Sequence, residues 1–118
     1  MDSSFNSLIT LLLPEYLTLY FELTSIDKQD DVLHLYLEEL NKIPVEYSND
    51  QLQSKGFFES ITVQDFPIRE HKVYLHIKRR RWFDLSTKKV VFRDWNLVAK
   101  GTRLTQEFAS FLKEVNRY

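Results

Sequence analysis

The chain has 118 residues, 43% hydrophobic and 14% aromatic, enough for one folded domain of the common size of roughly 100 to 150 residues and too apolar for a disordered one. It has no cysteine, which excludes disulfides, thiolate zinc sites and thiol nucleophiles, and only two glycines and three prolines, which speaks against linkers and low-complexity segments. The net charge of −1 conceals a division: residues 1–68 hold three Lys or Arg against twelve Asp or Glu, a balance of −9, while residues 69–103 hold eleven against three, a balance of +8. An asymmetry of this size means either that the second half meets a polyanion or that the acidic half folds back on it.

In chain order, Ser3 or Ser4 caps a first helix in which Phe5, Leu8, Ile9 and Leu12 recur at helical spacing. The apolar run Leu8 to Leu13 is broken by Thr10 and is far shorter than the roughly 20 residues of a membrane helix. Asp2, not a basic stretch, precedes it, so no signal peptide is read and a soluble cytoplasmic protein is expected. Pro14 suits the first turn of a second short helix, PEYLTLYF. Leu33, Leu35 and Leu37 then alternate with His34, Tyr36 and Glu38 beyond a polar DKQDD turn, the pattern of a β-hairpin. NKIPVEYSNDQLQSKG has neither period and reads as a loop, with or without one helical turn, ending at Gly56.

Ile61 and Val63 alternate with Thr62 and Gln64 in a third strand, and PIREHK forms a turn. In VYLHIKRRRW, Val73, Leu75 and Ile77 share one face and Tyr74, His76, Lys78, Arg80 and Trp82 the other, before the tip FDLSTKK and a returning strand KVVFRDW. Thr102 caps a closing helix with the apolar stripe Leu104, Phe108, Phe111, Leu112 and Val115. The expected fold is therefore α+β: an N-terminal helical stretch, an antiparallel sheet of about five strands and a C-terminal helix. It makes a single domain, 1–118, of an acidic part (1–68), a basic hairpin (69–103) and the last helix (104–118).

Catalytic chemistry is thin. No phosphate loop or nucleophile elbow is present. His34, His71 and His76 fall in no ligand spacing and read as ordinary strand or turn residues, and the adjacent Glu38 and Glu39 point to opposite faces of a strand. The chain is expected not to be an enzyme and to need no metal or cofactor. The informative feature is KRRRWFDLSTKKVVFRDW, Lys78 to Trp95, whose tip should be ringed by Lys78, Arg79, Arg80, Arg81, Lys88, Lys89 and Arg93. Guanidiniums offer bidentate geometry to phosphates, and a two-stranded ribbon fits a DNA major groove. Trp82 and Trp95 read as core residues, with stacking on unpaired bases as the other use of such side chains.

From QDFPI through VYLHIKRRRW to RDWNLVAKGTRLTQEFASFLK, and again in LITLLLPEYLTLYFELTSIDKQDDVLHLYLEE, the sequence resembles the N-terminal region of bacterial insertion-sequence transposases. It is most similar to a subgroup in which that region is a short separate protein. The resemblance implies a zinc-ribbon-like hairpin in which Asp65, Phe66 and Pro67 match the turn and Lys78 to Arg81 the basic strand end. Here the zinc-binding cysteines are missing, so Trp82, Val91, Phe92 and Trp95 would hold the tip. It further implies an accessory subunit that contacts double-stranded element-end DNA, with Lys100 and Arg103 assisting, while a catalytic transposase subunit carries the acidic triad. The competing reading is a protein-interaction module that docks on that catalytic subunit, or on the acidic half of a second copy in a homodimer, without touching DNA.

Overall fold

The computed structural model describes residues 13, 15–47 and 50–95, and the expected first and last helices, with Lys100 and Arg103, lie outside them. Within the described residues the architecture is almost all β, not α+β: one short α-helix, α1 (Glu15–Tyr20), a single 3-10 turn (Val45–Tyr47) and seven strands in two sheets. The strands are β1 (Phe21–Gln29), β2 (Val32–Glu39), β3 (Leu52–Phe57), β4 (Ile61–Ile68), β5 (His71–Lys78), β6 (Arg80–Asp84) and β7 (Lys89–Val91). A four-stranded sheet has the order β1-β2-β5-β4, and a three-stranded sheet has the order β3-β6-β7.

The first hairpin forms where the alternation places it. Gln29 pairs with Val32 across the two-residue turn Asp30-Asp31, and Asp30 takes φ 55, a left-handed conformation that Asp tolerates. Leu40 N–H donates to Tyr20 O and closes the open end. The β4–β5 hairpin turns through Arg69 and Glu70, both at positive φ (50 and 69), as a primed two-residue turn requires. Asp65, Phe66 and Pro67 therefore do not make the ribbon turn. They lie within β4, at a register shift between Asp65 and Ile68, and Pro67 is tolerated because β4 is an edge strand.

Strand β5 pairs on its other side with β2, in parallel, Leu35 opposite Leu75 and Leu37 opposite Ile77. Alternation then gives the large sheet one apolar side: Leu35, Leu37, Val63, Val73, Leu75 and Ile77 are buried with Phe21, beneath Leu13, Leu17 and Trp95. Trp95 stacks on Phe21 with centroids 5.3 Å apart and meets Tyr20 edge-on at 5.8 Å.

The stretch expected as one strand from Val73 to Trp82 breaks at Arg79, between β5 and β6, and changes sheets there. β6 pairs with β3, a strand formed inside the segment expected to be a loop, and with β7 over only three rungs, Trp82–Val91 to Asp84–Lys89. Gly56 sits at φ 80 where the β3–β6 register shifts between Ser54 and Phe57, so it marks a bulge instead of a loop end. The zinc-ribbon-like hairpin is thus replaced by a small separate sheet. Among the described residues no helix is long and apolar enough to cross a membrane.

Candidate functional site

The break at Arg79 disperses the basic run. Lys78 belongs to the four-stranded sheet, on its outer side beside Glu38, where it helps to line a shallow depression of about 270 Å³ with Tyr36, His76, Ser60 and Thr24. Arg79 is 1% exposed, its guanidinium 4.9 Å from the centre of the Phe58 ring. Arg80 is half-buried: its N–H donates to Glu39 Oε1 at 2.9 Å, its Nε to Glu39 O at 3.1 Å and its Nη1 to Ser54 Oγ. Arg81 points to the other side of the small sheet, donating from Nε to Lys55 O at 3.3 Å. Lys88 and Lys89 are exposed at the hairpin tip, Lys88 at φ 61.

Arg93 is also drawn inside. Its Nε donates to Glu39 Oε2 at 2.9 Å, with side-chain exposures of 6% and 1%, and its Nη2 donates to Lys42 O. Its guanidinium stands 4.9 Å from the Tyr20 ring and 5.8 Å from both Trp82 and Trp95. Of the residues expected to touch phosphates, Arg79 and Arg93 are therefore committed to the interior. A charged group in the core must be paired to be tolerated, and Glu39 is the partner that draws Arg93 in.

Glu39 is the pivot of this junction. It closes β2 of the large sheet and accepts from Arg80 at the start of β6 and from Arg93 just beyond β7, so one carboxylate ties three segments together. Burial pushes its pKa above the ordinary carboxylate value, a loss of solvation that outweighs the hydrogen bonds and charges of Arg93 and Arg80. Trp82, fully buried, seals the small sheet and donates its Nε1–H to Asn41 Oδ1 at 2.9 Å. Both tryptophans are core residues, which removes Trp82 from any exposed single-strand binding surface.

What remains outside on the small sheet is Arg81 and Lys55 with Phe58, Phe83 and Phe92. Lys55 Nζ lies 5.8 Å from the Phe83 ring, Arg81 is 5.9 Å from Phe58, and Phe58 meets Phe92 edge-on at 5.6 Å. Lys55 escaped the sequence reading because it comes from the acidic half and reaches the basic surface only through the unforeseen strand β3.

The second unforeseen cluster lies on the outer side of the large sheet. His34 and His76, 42 positions apart, meet with Nδ1 and Nε2 at 2.8 Å, and Thr62 Oγ1 lies 3.1 Å from His76 Nδ1. Only the parallel β2–β5 register brings them together, and no local spacing announces it. Burial, and next the neighbouring His34, lower the His76 pKa. Among the described residues no group of three or more His, Cys, Asp or Glu converges on a metal position. No protein-family model, curated protein or solved structure matches the chain.

Proposed function

We propose that the chain is a non-catalytic accessory subunit of an insertion-sequence transposase, working in the cytoplasm, that holds double-stranded element-end DNA through the tip and outer side of its three-stranded sheet. The observation that carries this reading is the gathering of Arg81, Lys55, Lys88 and Lys89 on one short hairpin sheet and its tip, interleaved with aromatic rings. Cations gathered on one side and the tip of a small sheet neutralise phosphates and release counterions. The transposase setting comes from the sequence resemblance; Lys78, Arg79, Arg80 and Arg93 leave the list of contacts and Lys55 joins it. The test is duplex binding followed by fluorescence anisotropy from low to moderate salt. Arg81→Ala, Lys88→Ala and Lys89→Ala combined should weaken binding and lower the salt slope by roughly 2 to 3, at about 0.9 per lost phosphate contact. An unchanged slope, or no binding at low salt, overturns the reading.

One observation favours the second reading, docking on the catalytic subunit. Leu85, Val90 and Phe92 are 48%, 47% and 37% exposed around β7, a three-residue strand that is at the sheet edge among the described residues. Co-purification with the catalytic chain that Val90→Asp abolishes, in a protein without DNA affinity, would establish docking in place of DNA contact.

A further inference from the structure

The outer side of the four-stranded sheet carries a device that the nucleic-acid reading does not use. Four rings cross it in a zigzag: Tyr36 to His76 with centroids 4.7 Å apart, His76 to His34 at 5.0 Å, and His34 to Tyr74 at 5.9 Å, all within 25° of parallel. Such an array suggests a platform for bases, but its two central rings meet edge to edge through their nitrogens. The same side carries Glu22, Asp27 and Glu38 against Lys72 and Lys78, as the register and alternation place them. A surface with more carboxylates than ammoniums repels phosphates and attracts cations.

We propose that His34 Nδ1 and His76 Nε2 form a two-point chelate for a late first-row divalent ion such as Ni²⁺ or Cu²⁺, for which imidazole nitrogens are suitable ligands. Two nitrogens each about 2.0 Å from one ion lie about 2.8 Å apart when cis in a square-planar shell and about 3.3 Å apart across a tetrahedral angle. At 2.8 Å the two nitrogens already stand at hydrogen-bond distance, close to the span that either arrangement needs, so little movement separates the free pair from a chelate. The two strands hold the nitrogens at this spacing before any ion arrives, because His34 and His76 sit on adjacent, hydrogen-bonded parallel strands flanked by Tyr36 and Tyr74.

Thr62 orients the His76 ring, and in the tautomer where His76 Nδ1–H donates to Thr62 Oγ1 the Nε2 lone pair faces His34 and the His34 proton occupies the space between the two nitrogens. Ion binding moves that proton to His34 Nε2 through solvent, so both imidazoles stay neutral and no net proton is released. A modest rotation about the broad terminal torsion of each histidine brings the two lone pairs onto the ion. Water completes the coordination shell.

The inference stands apart from the DNA reading and is tested separately, by titrating NiCl₂ into the full chain at pH 7.5 in a calorimeter. One ion per chain is expected. His34→Asn and His76→Asn should each lower the affinity tenfold or more, and Thr62→Val about tenfold, as loss of an orienting partner does. His71→Asn, whose Nδ1 instead meets Arg69 O, should leave affinity unchanged. Wild-type affinity in both Asn variants, or no nickel binding by the wild type, overturns the proposal. Should the variants fold poorly, Cu²⁺ added to the isotopically labelled wild type supplies the second readout: paramagnetic broadening centred on Tyr36, Thr62 and Tyr74 supports the site, and broadening centred elsewhere refutes it.

Discussion

The two sheets share one continuous stretch of chain, residues 71–84, yet they are held by different physics. The four-stranded sheet covers an aliphatic core, where every inward position of β2 and β5 from Leu35 to Leu37 and from Val73 to Ile77 is buried. The three-stranded sheet buries Trp82 together with Asp84 and joins its neighbour through Glu39, Arg80 and Arg93. Non-directional burial tolerates small shifts, whereas a carboxylate shared by two arginines requires particular geometry. The large sheet is accordingly specified by pattern and the small one by individual residues.

Removing the pivot should separate the two behaviours most. Glu39→Ala leaves Arg93 as an uncompensated buried charge and is expected to cost about 3 to 5 kcal/mol. Hydrogen exchange should show the loss concentrated in β6 and β7, and uniform acceleration through β2 and β5 would erase the distinction. Leu75→Ala is expected to cost about 2 to 5 kcal/mol through a cavity in the aliphatic core. Chemical denaturation should then show one cooperative transition moved to lower denaturant, with Trp95 and the strands lost together.

The junction at Glu39 and the outer side of the large sheet at His76 should also answer pH with opposite signs. Glu39 holds its proton more tightly folded than unfolded, so its contribution is complete below its ordinary value of 4.5 and is lost as pH rises through the elevated folded value. His76 is the reverse: its folded pKa lies below 6.5, so stability is present above 6.5 and declines as pH falls through the depressed value. Melting temperatures across this range should lose the first slope in Glu39→Gln and the second in His76→Asn. Retention of both slopes in both variants would mean that other groups set the pH response.

The smallest expected effect lies in a turn of the large sheet. Arg69→Asn with Glu70→Gly places residues suited to positive φ at both turn positions and should add on the order of 0.5 kcal/mol, read as a higher melting temperature. No gain would show that the β4–β5 pairing already determines the turn.

This contrast explains what could be read from the sequence. The β1–β2 hairpin, β4 and the buried side of β5 announce themselves by period-two alternation, and the opposed directions of Glu38 and Glu39 follow from the same rule. β3 has no apolar alternation, because the positions it sets opposite Asp84 and Trp82 are Leu52 and Ser54, so LQSKGF reads as a loop. The basic run Lys78 to Arg81 read as one continuous strand because nothing local marks Arg79 as the crossing point. Its destination depends on Glu39, which accepts from Arg80, 41 positions later in sequence. The histidine pair is hidden for the same reason: parallel register is a tertiary fact, and two isolated histidines carry no spacing signal.

The parallel pairing of β2 with β5 also sets an order of assembly. β2 ends at Glu39 and its partner begins at His71, with β3 and β4 between them. During synthesis the β1–β2 hairpin emerges with the hydrogen-bonding edge of β2 open and Leu35 and Leu37 uncovered, and it must wait for β5 to be made. Closing so long a loop before any contact rewards it is slow. This interval, more than the finished molecule, is when the chain is most exposed to pairing with another copy of itself.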